Sequence, residues 1–342
     1  MSRTFHVAVV GATGAVGREI LSVLEERRFP VNTLRLLASS RSAGQQIEYD
    51  GEDVPVQELT EKSFEGVDLV LSSPGSKVSA QFSPIAARAG AVVVDNTSHF
   101  RMEPDIPLVV PEVNPQDIAK FKERRIIANP NCSTIQMVVA LKPLHDAARI
   151  RRIVVSTYQA VSGAGQKGME ELEKQVRQLF NSQDVTPELF PKRIAFNLIP
   201  CIPQKDAFLD DGSTSEERKM VDETRKIMGD ASIKVNATCV RVPVFNGHSE
   251  SVSIETERAL SADEARELLR KAPGVAVLDD PSQMLFPTPM DVSGEDLVLV
   301  GRVRDDPTVE HGLSMFICGD NLRKGAALNA VQIAEILAKQ HL

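Results

Sequence analysis

The chain has 342 residues, 42% of them hydrophobic and 25% charged, with a formal net charge of −8. That length exceeds one ordinary core and predicts two domains. The composition is that of a globular protein, and the acidic balance argues against nonspecific nucleic-acid binding. No run of about eighteen apolar residues is present to span a membrane. The N-terminus leads straight into a strand, without signal-peptide architecture. Cys132, Cys201, Cys239 and Cys318 form no Cys-x-x-Cys pair. A reducing cytoplasm is therefore expected, with no zinc site and no disulfide framework.

In chain order, His6-Val7-Ala8-Val9-Val10 reads as a short apolar strand, and the apolar positions Val16, Ile20, Val23 and Leu24 recur at helical spacing. Between them lies Gly11-Ala12-Thr13-Gly14-Ala15-Val16-Gly17, with its glycines spaced G-x-x-G-x-x-G. A strand, a glycine turn and a helix together predict a nucleotide site, because the backbone can approach a pyrophosphate seated on the helix N-terminus. The next strand, Thr33 to Ala38, runs into Ser39-Ser40-Arg41-Ser42-Ala43-Gly44. An NAD site carries an acid near this point to bond the ribose 2′-hydroxyl. Here the hydroxyls of Ser39 and Ser42 and the guanidinium of Arg41 suit a 2′-phosphate, so NADP is the predicted cofactor. Further parallel strands are expected at Val67 to Ser72 and Val92 to Asp95. Ser72 and the loop ending at Arg101, a candidate anion contact, then lie at the carboxyl ends of strands, where such sheets bind ligands.

Ile126-Ile127-Ala128 reads as a buried strand, and Ile135 to Leu141 as a buried helix. Asn129-Pro130-Asn131-Cys132-Ser133-Thr134 joins them and places Cys132 at the helix's first turn. Unpaired N–H groups and the positive dipole end there favour a thiolate. A single cysteine is by base rate a packing residue; the strand-to-helix turn shifts the reading towards a nucleophile. Ile153 to Val161 follows as a strand running into Ser162-Gly163-Ala164-Gly165 and a helix from about Gln166. Gln159, in an otherwise apolar stretch, requires a hydrogen-bond partner. Ser213 to Met228 reads as a charged, solvated helix. Lys234 to Val244 and Ser251 to Glu257 are expected to pair as a tight hairpin around Asn246-Gly247. That hairpin offsets Arg241 and His248 by about four residues, roughly 13 Å, as a carboxylate contact and an acid/base around one gap. Ser261 to Glu264 is a capping box. Asp320 to Ala327 precedes a terminal amphipathic helix expected to pack on the first domain.

Taken together, these motifs resemble the aspartate-semialdehyde dehydrogenases over essentially the whole chain. The resemblance rests on Gly11 to Gly17, Ser39 to Gly44, Asn129 to Thr134, Gln159 with Ser162 to Gly165, Arg241 with His248, and Asp320 to Ala327. It implies an α/β chain with a Rossmann-type doubly wound domain (1–131 plus 321–342) and an α+β catalytic and dimerisation domain with a large mixed sheet (132–320). It implies reduction of L-4-aspartyl phosphate by NADPH to L-aspartate 4-semialdehyde, feeding lysine, threonine, methionine and isoleucine synthesis. Cys132 then matches the nucleophile that forms a thioacyl enzyme, His248 the general acid/base, and Gln159 the residue orienting the intermediate, with Asn131 beside it. Arg241 matches the partner of the substrate carboxylate, Arg101 and Lys219 the phosphate contacts, and Glu216 (or its neighbour Glu217) the acid facing the amino group. The nicotinamide is expected near Ser162, Gly163, Gly165 and Asn321. The assembly is expected to be a homodimer, with a tetramer left open, and no metal is implied.

The nearest enzyme alternative is N-acetyl-glutamyl-phosphate reductase, whose cysteine sits in Pro-Gly-Cys-Tyr-Pro-Thr, unlike Asn-Pro-Asn-Cys-Ser-Thr here. Glyceraldehyde-3-phosphate dehydrogenase uses Ser-Cys-Thr-Thr-Asn. A nucleotide-sensing relative without activity shares the fold alone; it predicts loss of Cys132 or His248, and both are present.

Overall fold

The computed structural model describes residues 3–203 and 205–342. It divides into two compact units, one ending at Asn131 and resuming at Ala326–Leu342, the other Cys132–Gly325. In the first unit β1 (Phe5–Val10) leads into α1 (Ala15–Glu26), whose buried stripe Gly17, Ile20, Leu21, Val23 and Leu24 has helical spacing. β2 (Val31–Ala38) is followed by the hairpin β3 (Gln46–Tyr49) and β4 (Glu52–Glu58). Asp50 and Gly51 turn that hairpin, both at positive φ (51° and 77°), as a tight two-residue connection requires. β5 (Leu69–Ser72), α2 (Ser76–Arg88), β6 (Val92–Asp95) and β7 (Ile126–Ala128) complete this stretch.

Among the described residues these strands form one sheet in the order β3-β4-β2-β1-β5-β6-β7. Its strands are parallel apart from the β3–β4 pair. β5, β6 and β7 are buried along their whole length, hence their continuous apolar runs. The chain winds outward from β1 to β2 and then returns to place β5 on β1's other side, so the topological switch lies between β1 and β5.

The second unit opens with α3 (Cys132–Ala148), which begins at Cys132 itself and is buried from Ser133 through Leu141. β8 (Ile150–Gln159), α4 (Gln166–Phe180), α5 (Ser215–Met228), β9 (Lys234–Arg241) and β10 (His248–Thr256) follow. After them come α6 (Ala262–Lys271), β11 (Val275–Val277), α7 (Pro289–Val292), β12 (Val298–Asp306) and β13 (Gly312–Gly319). The sheet order is β11-β12-β13-β10-β8-β9. It is mixed, with β8–β9 and β11–β12 parallel and the other pairs antiparallel.

This topology corrects the hairpin expected around Asn246-Gly247: β9 and β10 do not pair, because β8 lies between them. Residues 242–247 instead cross the end of β8, where Gln159 O accepts from Val242 N–H, Val244 O from Val161 N–H and Phe245 O from Ser162 N–H. Gly247 does adopt a positive φ of 87°, but within this crossing segment and not in a hairpin. Gln159 consequently stands between Arg241 and His248.

The chain passes through a single turn of π-helix (Arg323–Ala327) into α8 (Leu328–Gln340). It rejoins the first unit at Ala326 rather than at residue 321. Asn321 stays in the second unit because its side chain bonds Ser162 and the Gly247 N–H there. α8 packs in the first unit against α1, β5 and β6, burying Leu328, Val331, Ile333, Ala334 and Leu337.

Candidate active site

In the first unit, the Gly11–Gly14 turn sits at the switch between β1 and β5. Gly11 has φ +82°, and a Cβ there would come within 2.7 Å of the Ser73 carbonyl oxygen. A Cβ on Gly17 would overlap the Gly11 carbonyl. These glycines are therefore required by the turn's own close packing. Ala12 is buried, while Thr13 and Val16 are half-buried. α1 starts from Gly14, which offers no side-chain cap to the first-turn N–H groups. Ser72 is buried at the end of β5, and Ser39 precedes a short turn (Ser40–Ser42) that presents an exposed Arg41. With no acid at this strand end, the cradle fits a dinucleotide carrying a 2′-phosphate.

Arg101 is buried in the same unit, donating from Nε to Asn129 O and from Nη2 to Asn96 O, each at 2.9 Å. Asn129 in turn donates to Asn96 Oδ1 and accepts from Asn329 Nδ2, both at 2.7 Å. This network fixes the loop that ends in the buried Asn131. Asp95 is occupied structurally: its carboxylate accepts from the Ser79 and Ser83 hydroxyls and the Thr97 N–H.

The other candidate residues gather in the second unit. Arg241 and Gln159 are register partners on β9 and β8, and His248 pairs with Gly319 on β13. Ala160, just past β8, holds both flanks: its carbonyl accepts from Arg241 Nη1 at 2.7 Å and its N–H donates to His248 Nδ1 at 3.1 Å. Gln159 Nε2 lies 3.4 Å from Glu216 Oε1, and Lys219 Nζ lies 3.0 Å from Glu216 Oε2. Glu217 points elsewhere, into a capping box with Thr214 and onto the Cys239 N–H. Of the two acids it is therefore Glu216, buried at one end of α5, that joins the cluster. The charged helix thus turns Glu216 and Lys219, near its start, towards Gln159.

Cys132 is partly exposed at the start of α3, close enough for a thiolate there to act on Arg241. Burial pulls the Arg241 pKa down while Glu216 and Cys132 raise it. His248 is wholly buried, and burial together with the Arg241 charge lowers its pKa to about 3. The ring is neutral, and because Nδ1 accepts from Ala160 the proton resides on Nε2. Nε2 has no partner among the described residues. This tautomer presents Nε2–H as a hydrogen-bond donor.

Gly163 lies over this pair: a Cβ there would approach Arg241 Nη1 to 2.7 Å and His248 Nε2 to 3.2 Å. Gly325 lies over Cys132, where a Cβ would come within 2.9 Å of the cysteine's own Cβ. Ser162 Oγ is bonded to both Asn321 and Asn246, and Gly165, at φ +76°, starts α4 without a side-chain cap. Sequence reasoning missed Ala160 and the role of Gly325. Ala160 acts through its peptide and leaves no side-chain signal, whereas a glycine inside the Asp320–Ala327 motif was a visible one.

Two family models match. One, described as "Semialdehyde dehydrogenase, NAD binding domain", matches residues 6–121. The other, "Semialdehyde dehydrogenase, dimerisation domain", matches residues 141–324. The aspartate-semialdehyde dehydrogenase of Aquifex aeolicus is 56% identical over 340 residues, covering 99% of both chains. Among solved structures, aspartate semialdehyde dehydrogenase II of Vibrio cholerae complexed with ASA is 52% identical, with a TM-score of 0.96 and 100% of both chains covered. The Candida albicans enzyme solved with NADP is 29% identical, with a TM-score of 0.76 over 98% of each chain. The chain belongs to the aspartate-semialdehyde dehydrogenase family.

Proposed function

We propose that this enzyme converts L-4-aspartyl phosphate to L-aspartate 4-semialdehyde with NADPH, in the synthesis of lysine, threonine, methionine and isoleucine. The carrying observation is the arrangement of Arg241, Gln159 and His248 around the open edge at Gly163, in the unit that also holds Cys132 under Gly325.

Cys132 Sγ attacks the acyl carbon, and phosphate leaves with the bonding electrons, giving a thioester on the enzyme. The helix start and the Arg241 charge favour the thiolate that this step needs. Arg241 takes the substrate α-carboxylate: its Nη1 is committed to Ala160, while its buried Nε has no partner among the described residues. Glu216 takes the amino group, Gln159 orients the acyl group between them, and Asn131 lines the approach to Cys132. Lys219 and Arg101 stabilise the departing phosphate, a local cationic supply within an acidic protein.

NADP is held by Gly11 to Gly17, Ser39, Arg41, Ser42 and Ser72, with Ser162, Gly163, Gly165 and Asn321 at the nicotinamide end; bound as NADPH it supplies a hydride. His248 Nε2–H donates a hydrogen bond to the oxygen that becomes negative in each tetrahedral species. Collapse of the second species returns the Cys132 thiolate and releases the aldehyde. No step then requires the ring to give up its proton.

The chain acts as a homodimer through the second unit. One face of its sheet carries half-buried residues, including Val154, Ser156, Tyr158, Ser251 and Phe316, with the Tyr158 and Phe316 rings 6.2 Å apart across it. Among the described residues no helix is long and apolar enough to cross a membrane, and a cytoplasmic location fits reduced thiols.

The test is the phosphate-dependent reverse reaction of L-aspartate 4-semialdehyde with NADP, run beside N-acetyl-glutamate semialdehyde. Turnover of the second substrate and not the first overturns the assignment. Cys132→Ala is expected to abolish turnover and keep NADP binding; normal turnover in that variant excludes the covalent route.

A further inference from the structure

Beneath the cluster lies a second polar group that the reaction just described does not use. Glu250 is completely buried on β10, two residues after His248 and therefore on the same face of the sheet. Gln136 is buried on α3, one turn after Cys132 and on the same side of that helix. α3 packs directly on β10 and β13. Gly319, the register partner of His248, leaves room for the amide: a Cβ there would come within 2.8 Å of Gln136 Oε1. Gln136 Nε2 lies 3.4 Å from the His248 carbonyl oxygen.

Both Glu250 oxygens and Gln136 Oε1 lack a hydrogen-bond partner among the described residues. Around Glu250 stand Thr157 from β8, the Cys239 thiol from β9, Ile317 from β13 and Gln136 from α3. No cation forms an ion pair with it among the described residues, so an ionised carboxylate here is uncompensated. A protonated carboxyl resolves three orphan atoms together. Its O–H donates to Gln136 Oε1, and its carbonyl oxygen accepts from the Gln136 amide, whose second N–H remains directed at the His248 carbonyl.

We infer that Glu250 and Gln136 form a neutral acid–amide pair that holds the helix bearing Cys132 in register with the strand bearing His248. Glu250 is a positioning residue, and it acts as a hydrogen-bonding shape without charge. Burial supports this independently, since it raises the proton affinity of the carboxyl well above the ordinary glutamate value.

The experiment compares Glu250→Gln, Glu250→Leu, Gln136→Leu and the double Leu variant in the full-length protein, with a carbonyl-region infrared difference spectrum of wild type against Glu250→Gln. Glu250→Gln replaces the acid by an amide of the same shape, and it is expected to keep kcat within about threefold with an unchanged pH profile. Each single Leu variant is expected to lower kcat by about tenfold or more while leaving the KM for NADP unaltered, because a small misplacement of the reacting pair is costly. The double variant should lose no more than the worse single one, in kcat and in melting temperature alike. The spectrum should show a protonated-acid band in wild type that Glu250→Gln lacks.

A carboxylate band, a Glu250→Gln variant as damaged as Glu250→Leu, or additive losses in the double variant would each overturn the pair. The functional part rests on the roles proposed for Cys132 and His248. Absence of turnover in the unaltered protein overturns those roles, whereas the infrared band and the melting-temperature coupling decide the pair regardless.

Discussion

Arg241 and His248 are tied to the two ends of one residue, Ala160, whose carbonyl oxygen accepts from the guanidinium at 2.7 Å and whose N–H donates to the imidazole at 3.1 Å. A backbone residue at the end of a central strand is a stiff spacer, so the carboxylate-binding group and the hydrogen-bond donor are set at a fixed separation without spending a side chain. The same contacts decide chemistry. On these two side chains they leave Arg241 Nε and His248 Nε2 without a protein partner among the described residues, available to a substrate.

Arg241→Lys should therefore reduce kcat/KM for the semialdehyde by about a hundredfold, mostly through KM. An ammonium cannot bond Ala160 and grip a carboxylate with the same planar fork. Steady-state kinetics with a parallel NADP titration measures this. A KM within error of wild type would remove Arg241 from the carboxylate site.

The two glycines over the site make a second pair of variants. Gly163→Ala brings a methyl group to 2.7 Å from Arg241 Nη1, and Gly325→Ala brings one to 2.9 Å from Cys132 Cβ. Both distances require something to move. Gly163→Ala should raise the KM for the semialdehyde, whereas Gly325→Ala should slow alkylation of Cys132 and lower kcat, each by about tenfold or more. Equal effects of both variants on KM and on alkylation would contradict the separate places given to them.

His248 provides a test by pH. Burial and the neighbouring guanidinium lower its pKa to about 3 from the ordinary 6.5. The folded ring thus stays neutral while the unfolded ring protonates. Its contribution to stability is complete above pH 6.5 and is lost as pH falls from there towards about 3. Nitrogen-15 spectra of histidine-labelled protein should show His248 as the Nε2–H tautomer with no titration between about pH 8 and about pH 5. A His248→Gln variant, which keeps a terminal N–H donor, should retain more kcat than His248→Ala. A ring that titrates near its ordinary value would restore a proton-shuttling role.

The exposed Arg41 lies outside the buried network, so its effect should be confined to the cofactor. Arg41→Ala is expected to lower kcat/KM with NADP by about tenfold while leaving NAD nearly unchanged, since one charge-assisted contact to phosphate is worth about that much. An equal loss with both dinucleotides would refute recognition of the 2′-phosphate by this side chain.

Much of this site was legible from local pattern. The strand, glycine turn and helix at Val10 to Ile20 carry their signal within a dozen residues. Cys132 announces itself through its flanking apolar runs. Sheet order is a nonlocal property, which is why the Asn246-Gly247 turn suggested a hairpin when β8 in fact separates β9 from β10. Glu216 was masked by the charges around it on α5, and only its burial against Gln159 distinguishes it from Glu217. Glu250 was hidden because the strand expected from the sequence began at Ser251, and only its extension to His248 gives the two residues a common face. Nothing in the sequence alone names Gln136 as its counterpart.

Glu250 gives the last prediction, one about stability. Burial raises the folded-state pKa well above the ordinary glutamate value of 4.5, so the native carboxyl holds its proton while the unfolded one ionises. Its contribution is full below pH 4.5 and is lost as pH rises towards the folded pKa. Over that window each pH unit should remove about 1.4 kcal/mol from the unfolding free energy through this group alone. Glu250→Gln abolishes the ionisation while keeping the shape. Its stability relative to wild type should therefore climb with pH, reading close to parity in mild acid and clearly above wild type at neutral pH. Urea unfolding of both proteins at matched concentration across this range measures the difference. A gap that stays constant with pH would mean that Glu250 is ionised in the native protein, and that Gln136 faces a carboxylate.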